Sequence, residues 1–428
     1  MCQTPDEIVL KNVESKNRIN LLPYVFGGFS AEKKDTKLDY GKFQRNGGLS
    51  GLFDLNSVTS LEFALNPDFS QVEADVSQVS ANTTFALFFP ERRPYFNEGN
   101  EIIESNLNTV YTRTINDPLA STKLIHQGDN QRVYWLAAYD QASPYLIAGE
   151  NKSYGGEGGK AFSNILSYQR TFDQGSYIGI LSTNRIFKDG GNGHAFGMNG
   201  LLRFAKLYTL TFELNASFIK EPTKDWIESG DVIKGKTVAL DGGKKRGDAF
   251  RIDLQRNTRN WNTDFYYVHY SPEYEAPLGF VNQNSIRNME IRESYTYYPK
   301  EKEGIIQQLR VSGGSEITFN YNNLRKYFDV FSNTNIQWKG NLRTNINFVY
   351  VLNEEFSGFI GKNLTKLRMF KGSHDRTSTL SRTKILIFSV SSFNTVPRSG
   401  RVIIFTGSRK LSTPVKISCC KALADNSR

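Results

Sequence analysis

The chain has 428 residues, with 53 Lys and Arg against 43 Asp and Glu, a formal charge of +10. Of these, 13 basic and 2 acidic residues fall in 366–428, leaving 40 basic and 41 acidic before them, so the charge is no folded basic face and nucleic acid is excluded as a partner. Cysteine is confined to Cys2, Cys419 and Cys420, which excludes a disulfide framework, and His126, His194, His269 and His374 lack the spacing of a metal centre.

In chain order, residues 1–16 show no basic stretch followed by an apolar one, so no export signal is visible. Residues 1–17 read as a leader remnant outside the fold. The segment 66–103 breaks the pattern of its surroundings. It does not alternate, and it gathers Asp68, Glu73, Asp75, Glu91 and Glu98 with Phe85, Phe88, Phe89, Tyr95 and Phe96. A connection of that length in a compact domain either fills a cavity or carries function.

Beyond it the chain alternates. Tyr208, Leu210, Phe212, Leu214, Ala216 and Phe218 interleave with Thr209, Thr211, Glu213, Asn215 and Ser217, a period of two that only a strand can use. Phe250, Ile252 and Leu254 repeat it, as do Met289, Ile291, Tyr295 and Tyr297, and then Leu342, Thr344, Ile346, Phe348, Tyr350 and Leu352. Gly-rich turns such as 188–193 and 241–243 punctuate hairpins rather than helical crossovers. The glycines before His194 follow a strand and open no helix, so they make a hairpin loop and no phosphate cradle. Runs this long, polar on one face and apolar on the other, predict an all-β, antiparallel transmembrane β-barrel of the outer-membrane type, with an irregular inserted segment. Tyr134, Trp135, Trp261, Tyr266, Tyr297 and Trp338 suit aromatic girdles. A soluble β-sandwich or propeller is the competing fold. At roughly 20–25 residues per strand and connection, the body supplies about 14 to 18 strands.

Three chemistries are open to the 66–103 segment. Asp68, Glu73 and Asp75 are candidate oxygen ligands for a hard cation such as Ca²⁺. Glu91 and Glu98 are candidates for the acid and base of a glycosidase, which needs two carboxyl groups roughly 5–9.5 Å apart. In the structural alternative Glu91, Arg92, Arg93 and Glu98 form ion pairs, Pro90 and Pro94 stiffen a turn, and the aromatic rings wedge the segment into the barrel. No motif implies a cofactor.

The runs Leu65-Asn66-Pro67-Asp68-Phe69-Ser70-Gln71-Val72-Glu73-Ala74-Asp75 and Phe88-Phe89-Pro90-Glu91-Arg92-Arg93-Pro94-Tyr95-Phe96-Asn97-Glu98-Gly99 carry a resemblance. They resemble the uncharacterised outer-membrane β-barrel domain that follows a carbohydrate-binding family 9-like module in Gram-negative bacteria, many of the Bacteroidetes type. The matching positions are Asn66, Pro67, Asp68, Phe69, Gln71, Glu73, Asp75, Phe89, Pro90, Glu91, Arg93, Pro94, Phe96, Glu98 and Gly99, while Ser70 stands where glycine is usual. Leu21 to Val25 looks like the domain's opening strand, and the resemblance spans roughly 18–360. It implies a barrel over 18–362 with 66–103 as a plug-like or periplasmic insert, outer-membrane lipid as the solvent, and the cell outer membrane as location. It also implies a pore, transport or surface-attachment role beside carbohydrate-binding proteins, with polysaccharide or oligosaccharide as a further partner. The alternative is a carbohydrate-active surface hydrolase. The sugar-binding module is missing from this chain, so its activity does not carry over.

The tail 363–428 is basic, holds Cys419 and Cys420, and has Ile385 to Val390 and Val402 to Phe405 as apolar runs that continue no visible hairpin. It is expected to be non-native or disordered, and the chain a fragment truncated in front and altered behind.

Overall fold

The computed structural model describes residues 18–29, 31–34, 37–67, 85–227, 229–233, 235–299, 304–339, 342–354 and 382–393. The leader 1–17 lies outside them.

Sixteen strands form one antiparallel sheet, each paired with its neighbour in sequence. They are β1 (Ile19–Gly28), β2 (Gln44–Asn56), β3 (Thr59–Leu65), β4 (Pro118–Gln127), β5 (Gln131–Asp140), β6 (Ala161–Phe172), β7 (Ser176–Phe187) and β8 (Asn192–Phe204). After these come β9 (Tyr208–Lys220), β10 (Lys244–Asn257), β11 (Trp261–Tyr270), β12 (Ile286–Tyr297), β13 (Ile306–Asn320), β14 (Arg325–Trp338), β15 (Arg343–Glu354) and β16 (Arg382–Phe393). Among the described residues β1 and β16 are the two ends of this order. Each alternating run named above lies in a strand, apart from Leu342, which precedes β15, and Leu21 to Val25 lies in β1. The turn before His194 joins β7 to β8, with Gly190 and Gly191 at φ 98° and 86°, a conformation that favours glycine.

The polarity of this sheet is inside out. Register places Phe196, Met198 and Leu214 on one face, 50 %, 45 % and 47 % exposed. The opposite face of the same strands buries Asn199, Glu213, Asn215 and Ser217. Strands β6 and β7 repeat the arrangement, with Phe162, Leu166, Ile178 and Ile180 exposed and Ser163, Ser167, Gln169 and Thr183 buried. A β-sandwich would bury the apolar face, because water rejects it. Exposed apolar rows around a polar interior belong to a transmembrane barrel, whose outer surface meets lipid. The fold is therefore the all-β transmembrane barrel type.

Its connections are unequal at the two ends. Turns 57–58, 128–130, 173–175, 205–207 and 258–260 are short, whereas 29–43, 66–117, 141–160, 221–243 and 271–285 all lie at the opposite end. Among the described residues the brief connections at that same end are 188–191 and 321–324.

Arg382–Phe393, inside the tail 363–428, is a strand, paired along its length with β15 from Arg343↔Phe393 to Glu354↔Arg382. The sequence run Ile385, Leu386, Ile387, Phe388 is uniformly apolar, so it shows no alternation and does not read as a barrel strand. The rest of the tail lies outside the described residues.

Candidate functional site

The connection between β3 and β4 turns inward. Its apolar side chains Phe96, Ile102, Ile103 and Ile115 are fully or almost fully buried against Ile125, Tyr134, Leu136, Ile165 and Leu181 on the inner wall. Leu107 joins a second cluster with Ala249, Val268 and Tyr274. The insert thus touches strands from β4 to β11. Those strands would stand roughly 34 Å apart in a flat sheet at about 4.8 Å per step, so the sheet curves around it. The insert extends past Ile103, the boundary read from sequence, because Leu107, Thr109 and Ile115 are buried as deeply as Phe96.

Three anchors on the wall hold it. On β4, Lys123 is wholly buried and pairs with Glu62 of β3 at 2.9 Å. Its remaining protons go to the carbonyls of Tyr95 at 2.5 Å and Glu98 at 3.2 Å. On β6, Ser167 and Gln169 both donate to the carbonyl of Ile102, at 2.9 and 3.0 Å. On β9, the Glu213 carboxylate accepts from Ser105 Oγ at 2.6 Å, Thr109 Oγ1 at 3.1 Å, and the backbone N–H groups of Asn106 and Leu107 at 2.7 and 3.2 Å. Arg251 of β10 adds a bond to the Asn106 carbonyl at 3.1 Å. A short irregular segment cannot satisfy its own backbone groups, so the wall satisfies them.

Inside the insert, the Pro90–Pro94 turn is closed by a fork. Arg93 donates from Nε and Nη2 to Glu91 at 2.9 and 2.7 Å, and to the carbonyls of Ile115 at 2.7 Å and Thr112 at 3.0 Å. Its guanidinium lies 4.2 Å from the centre of the Phe96 ring. Glu91 also accepts from Thr112 Oγ1 at 2.7 Å and from the backbone N–H groups of Arg92 and Arg93. After Pro94–Asn97, a single helical turn, Gly99 takes φ 78°, and a Cβ there would come within 2.7 Å of Ile125 Cδ1. Only glycine fits that left-handed turn against the wall.

This geometry decides the sequence candidates. Both oxygens of Glu91 are engaged by Arg93, Thr112 and the backbone, which leaves it the centre of a structural fork. Glu98 instead lines a cleft of about 520 Å³ with Arg18, Asp54 and Glu101, at the short-turn end. Glu91 is thus engaged inside the fork, while Glu98 faces the cleft. Asp68, Glu73 and Asp75, with Phe69 and Gln71, lie outside the described residues, and among the described residues no group of three or more His, Cys, Asp or Glu is placed to hold a metal. Phe89, Pro90, Arg93, Pro94, Phe96 and Gly99 all belong to the insert. His269 sits on the outer face of β11, bonded to Asp248 at 2.8 Å and to Tyr321.

Burial works against the Glu91 carboxylate, but the hydrogen bonds and charge of Arg93, with Thr112, outweigh it and hold its carboxyl below the usual range. A depressed folded value means the fork stabilises the insert above the unfolded carboxyl value, about 4.3. That contribution falls away as pH drops through the lower folded value. Acidification below about pH 4 is thus expected to loosen residues 89–93, read as lost amide hydrogen-exchange protection there. A Glu91→Gln variant should lack this pH dependence, and equal protection from pH 7 to pH 3 in the parent would contradict it.

Sequence reasoning missed Lys123 and Glu213. Glu213 was visible only as one polar member of an alternating strand, and Lys123 as one charge in β4. The available signal was a charged residue on the inner face in mid-strand, which needs a partner across the lumen.

Among curated proteins none matches the chain. Solved structures overlap it loosely: Pseudomonas aeruginosa OccK11 (OpdR), at 8 % identity and TM-score 0.34, covers 78 % of this chain and 80 % of its own. Acinetobacter baumannii OccAB3, at 11 % identity and TM-score 0.33, covers 89 % of each. Overlaps this loose carry no weight beside the polarity of the sheet itself. Residues 15–134, from the opening strand through the whole insert to β5, match the model of a domain of unknown function, DUF5916.

Proposed function

We propose that this protein is an outer-membrane channel or transport component, its lumen plugged over β4 to β11 by the insert and open along β12 to β15. The observation that carries this reading is the inner wall. Asn257, Asn262, Ser294, Ser312, Asn333 and Asn347 stand opposite one another on six successive strands, β10 to β15, as one transverse row. Uncharged amides and hydroxyls in a row hold water and small polar solutes without trapping ions. Four residues farther along the same face, Asp253, Glu290, Glu316 and Asp329 lie in another row, tied to Arg251, Arg292, Asn288 and Tyr327. The long connections face outward and the short turns face the periplasm, as in barrels of this kind, so the insert enters from outside.

The resemblance of the 66–99 motif to barrels that follow a carbohydrate-binding module supports an oligosaccharide as the solute and carbohydrate-binding proteins as neighbours. The neutral row suits such a solute, whereas no observation favours hydrolysis. The test is single-channel conductance of the refolded protein in a planar bilayer. Replacing residues 85–116 with a short Gly-Ser linker should raise conductance several-fold. If neither form conducts, the channel reading fails and an attachment role replaces it.

A further inference from the structure

The long-connection end of the barrel holds a cleft that the channel reading leaves unused. It encloses about 620 Å³ between two of the long connections, 141–160 and 221–243, with Tyr154 and Glu157 contributed by the first and Asp225 and Trp226 by the second. Small-ligand sites are concave and of roughly this volume. Two glycines let the connections meet. A Cβ on Gly156 would lie 1.8 Å from the Trp226 carbonyl oxygen, and one on Gly159 would lie 2.8 Å from Trp226 Cζ2, so a side chain at either would displace the tryptophan. Trp226 packs one part of its indole on Phe187, 5.0 Å between ring centres, and stays half-buried, its remaining surface at the cleft. Tyr154 beside it is fixed by its hydroxyl, which donates to Asp231 at 2.9 Å, and by Lys152 lying 4.8 Å from its ring centre.

Glu157 and Asp225 differ from these held groups. Both are exposed, one from each connection, and neither has a hydrogen-bond or ion-pair partner among the described residues. They offer acceptors at two places along the cleft rather than one focus of charge, and among the described residues no acidic set converges as a metal site would. An indole is a broad, rigid apolar surface, and a carboxylate is the strongest acceptor a side chain provides. Together they fit a ligand with an apolar face and a rim of donors. A pyranose ring has that form, with C–H groups on its face and hydroxyls around its edge.

We infer that this cleft is a saccharide-binding site, where one sugar face lies on Trp226 and hydroxyls donate to Glu157 and Asp225. The inference rests on the channel reading for the outward placement of the cleft and for an oligosaccharide as the solute. It adds where that solute is first held, beside the insert, whose Ala86 N–H donates to Ser153 of the same connection at 2.6 Å.

The experiment is isothermal titration calorimetry of the full chain in a sugar-free detergent. The probes are malto-, cello-, xylo- and laminarihexaose, with spermidine as a cationic comparison. At least one hexasaccharide should bind the parent. Glu157→Gln/Asp225→Asn, which alters only exposed groups, should weaken that binding by roughly tenfold per carboxylate, and Trp226→Ala by roughly tenfold. A control, Trp261→Phe at the opposite mouth, should bind as the parent does. Heat-modifiable gel mobility confirms that each variant is folded. Binding of no hexasaccharide by the parent, affinity unchanged by Glu157→Gln/Asp225→Asn, or binding of spermidine in place of every sugar would overturn the assignment. The channel reading fails separately, on conductance: a chain that binds the sugar without conducting would keep the cleft and lose the channel.

Discussion

Replacing Lys123 with methionine should release the first half of the insert and destabilise the barrel by about 3–5 kcal/mol, the usual cost of leaving one member of a buried ion pair alone. The side chain is fully buried, and Glu62 beside it is 8 % exposed. Methionine keeps the packing but leaves the Glu62 carboxyl without its cation and two carbonyls, of Tyr95 and Glu98, without this donor. Denaturant unfolding in lipid vesicles should show the loss, and single-channel conductance should rise and become noisy. The double variant Lys123→Met/Glu62→Leu removes both charges and should recover much of the stability while the insert stays loose. Unchanged conductance in both variants would show that Lys123 does not hold the insert.

The second large effect belongs to Glu213. Its carboxylate collects four donors from residues 105–109, and Glu213→Ala leaves two of them as backbone N–H groups facing a vacated site. The local cost should be about 3 kcal/mol or more, which lowers hydrogen-exchange protection at Asn106 and Leu107 by roughly two orders of magnitude. Glu213→Gln should fare little better, because its amide turns one acceptor into a donor aimed at other donors. Protection at Asn106 that survives Glu213→Ala would contradict the anchor. Because β9 and β4 grip different stretches of the insert, the Lys123 and Glu213 effects should add nearly independently.

Much of the fold was legible because period two is a local signal. The runs 208–218 and 342–352 each declare which side chains share a face, and the sheet places them so. The insert was legible by contrast, since 66–103 alternates nowhere. Its contacts were not. Lys123 and Glu213 lie far in sequence from the carbonyls and amides they serve, and a strand pattern reveals only that a residue faces inward, never what waits across the lumen. The Glu91–Arg93 fork was half visible, as ion pairing around a proline-bracketed turn. That it uses up Glu91, which sequence also offered as a catalytic carboxylate, depends on Thr112 and Ile115 folding back over it. Strand β16 was hidden because its run 385–388 is uniformly apolar in sequence and shows no alternation.

The most direct test of the account is which face of the wall meets lipid. Single cysteines at Ile180 and Leu214, and at Asn335 and Asn345, with Cys2, Cys419 and Cys420 changed to serine, would each carry an environment-sensitive fluorophore in lipid vesicles. Labels at Ile180 and Leu214 should be quenched by a lipid-borne quencher, and those at Asn335 and Asn345 only by a water-soluble one. The reverse pattern, or all four labels quenched from water alone, would contradict the inside-out wall and everything built upon it.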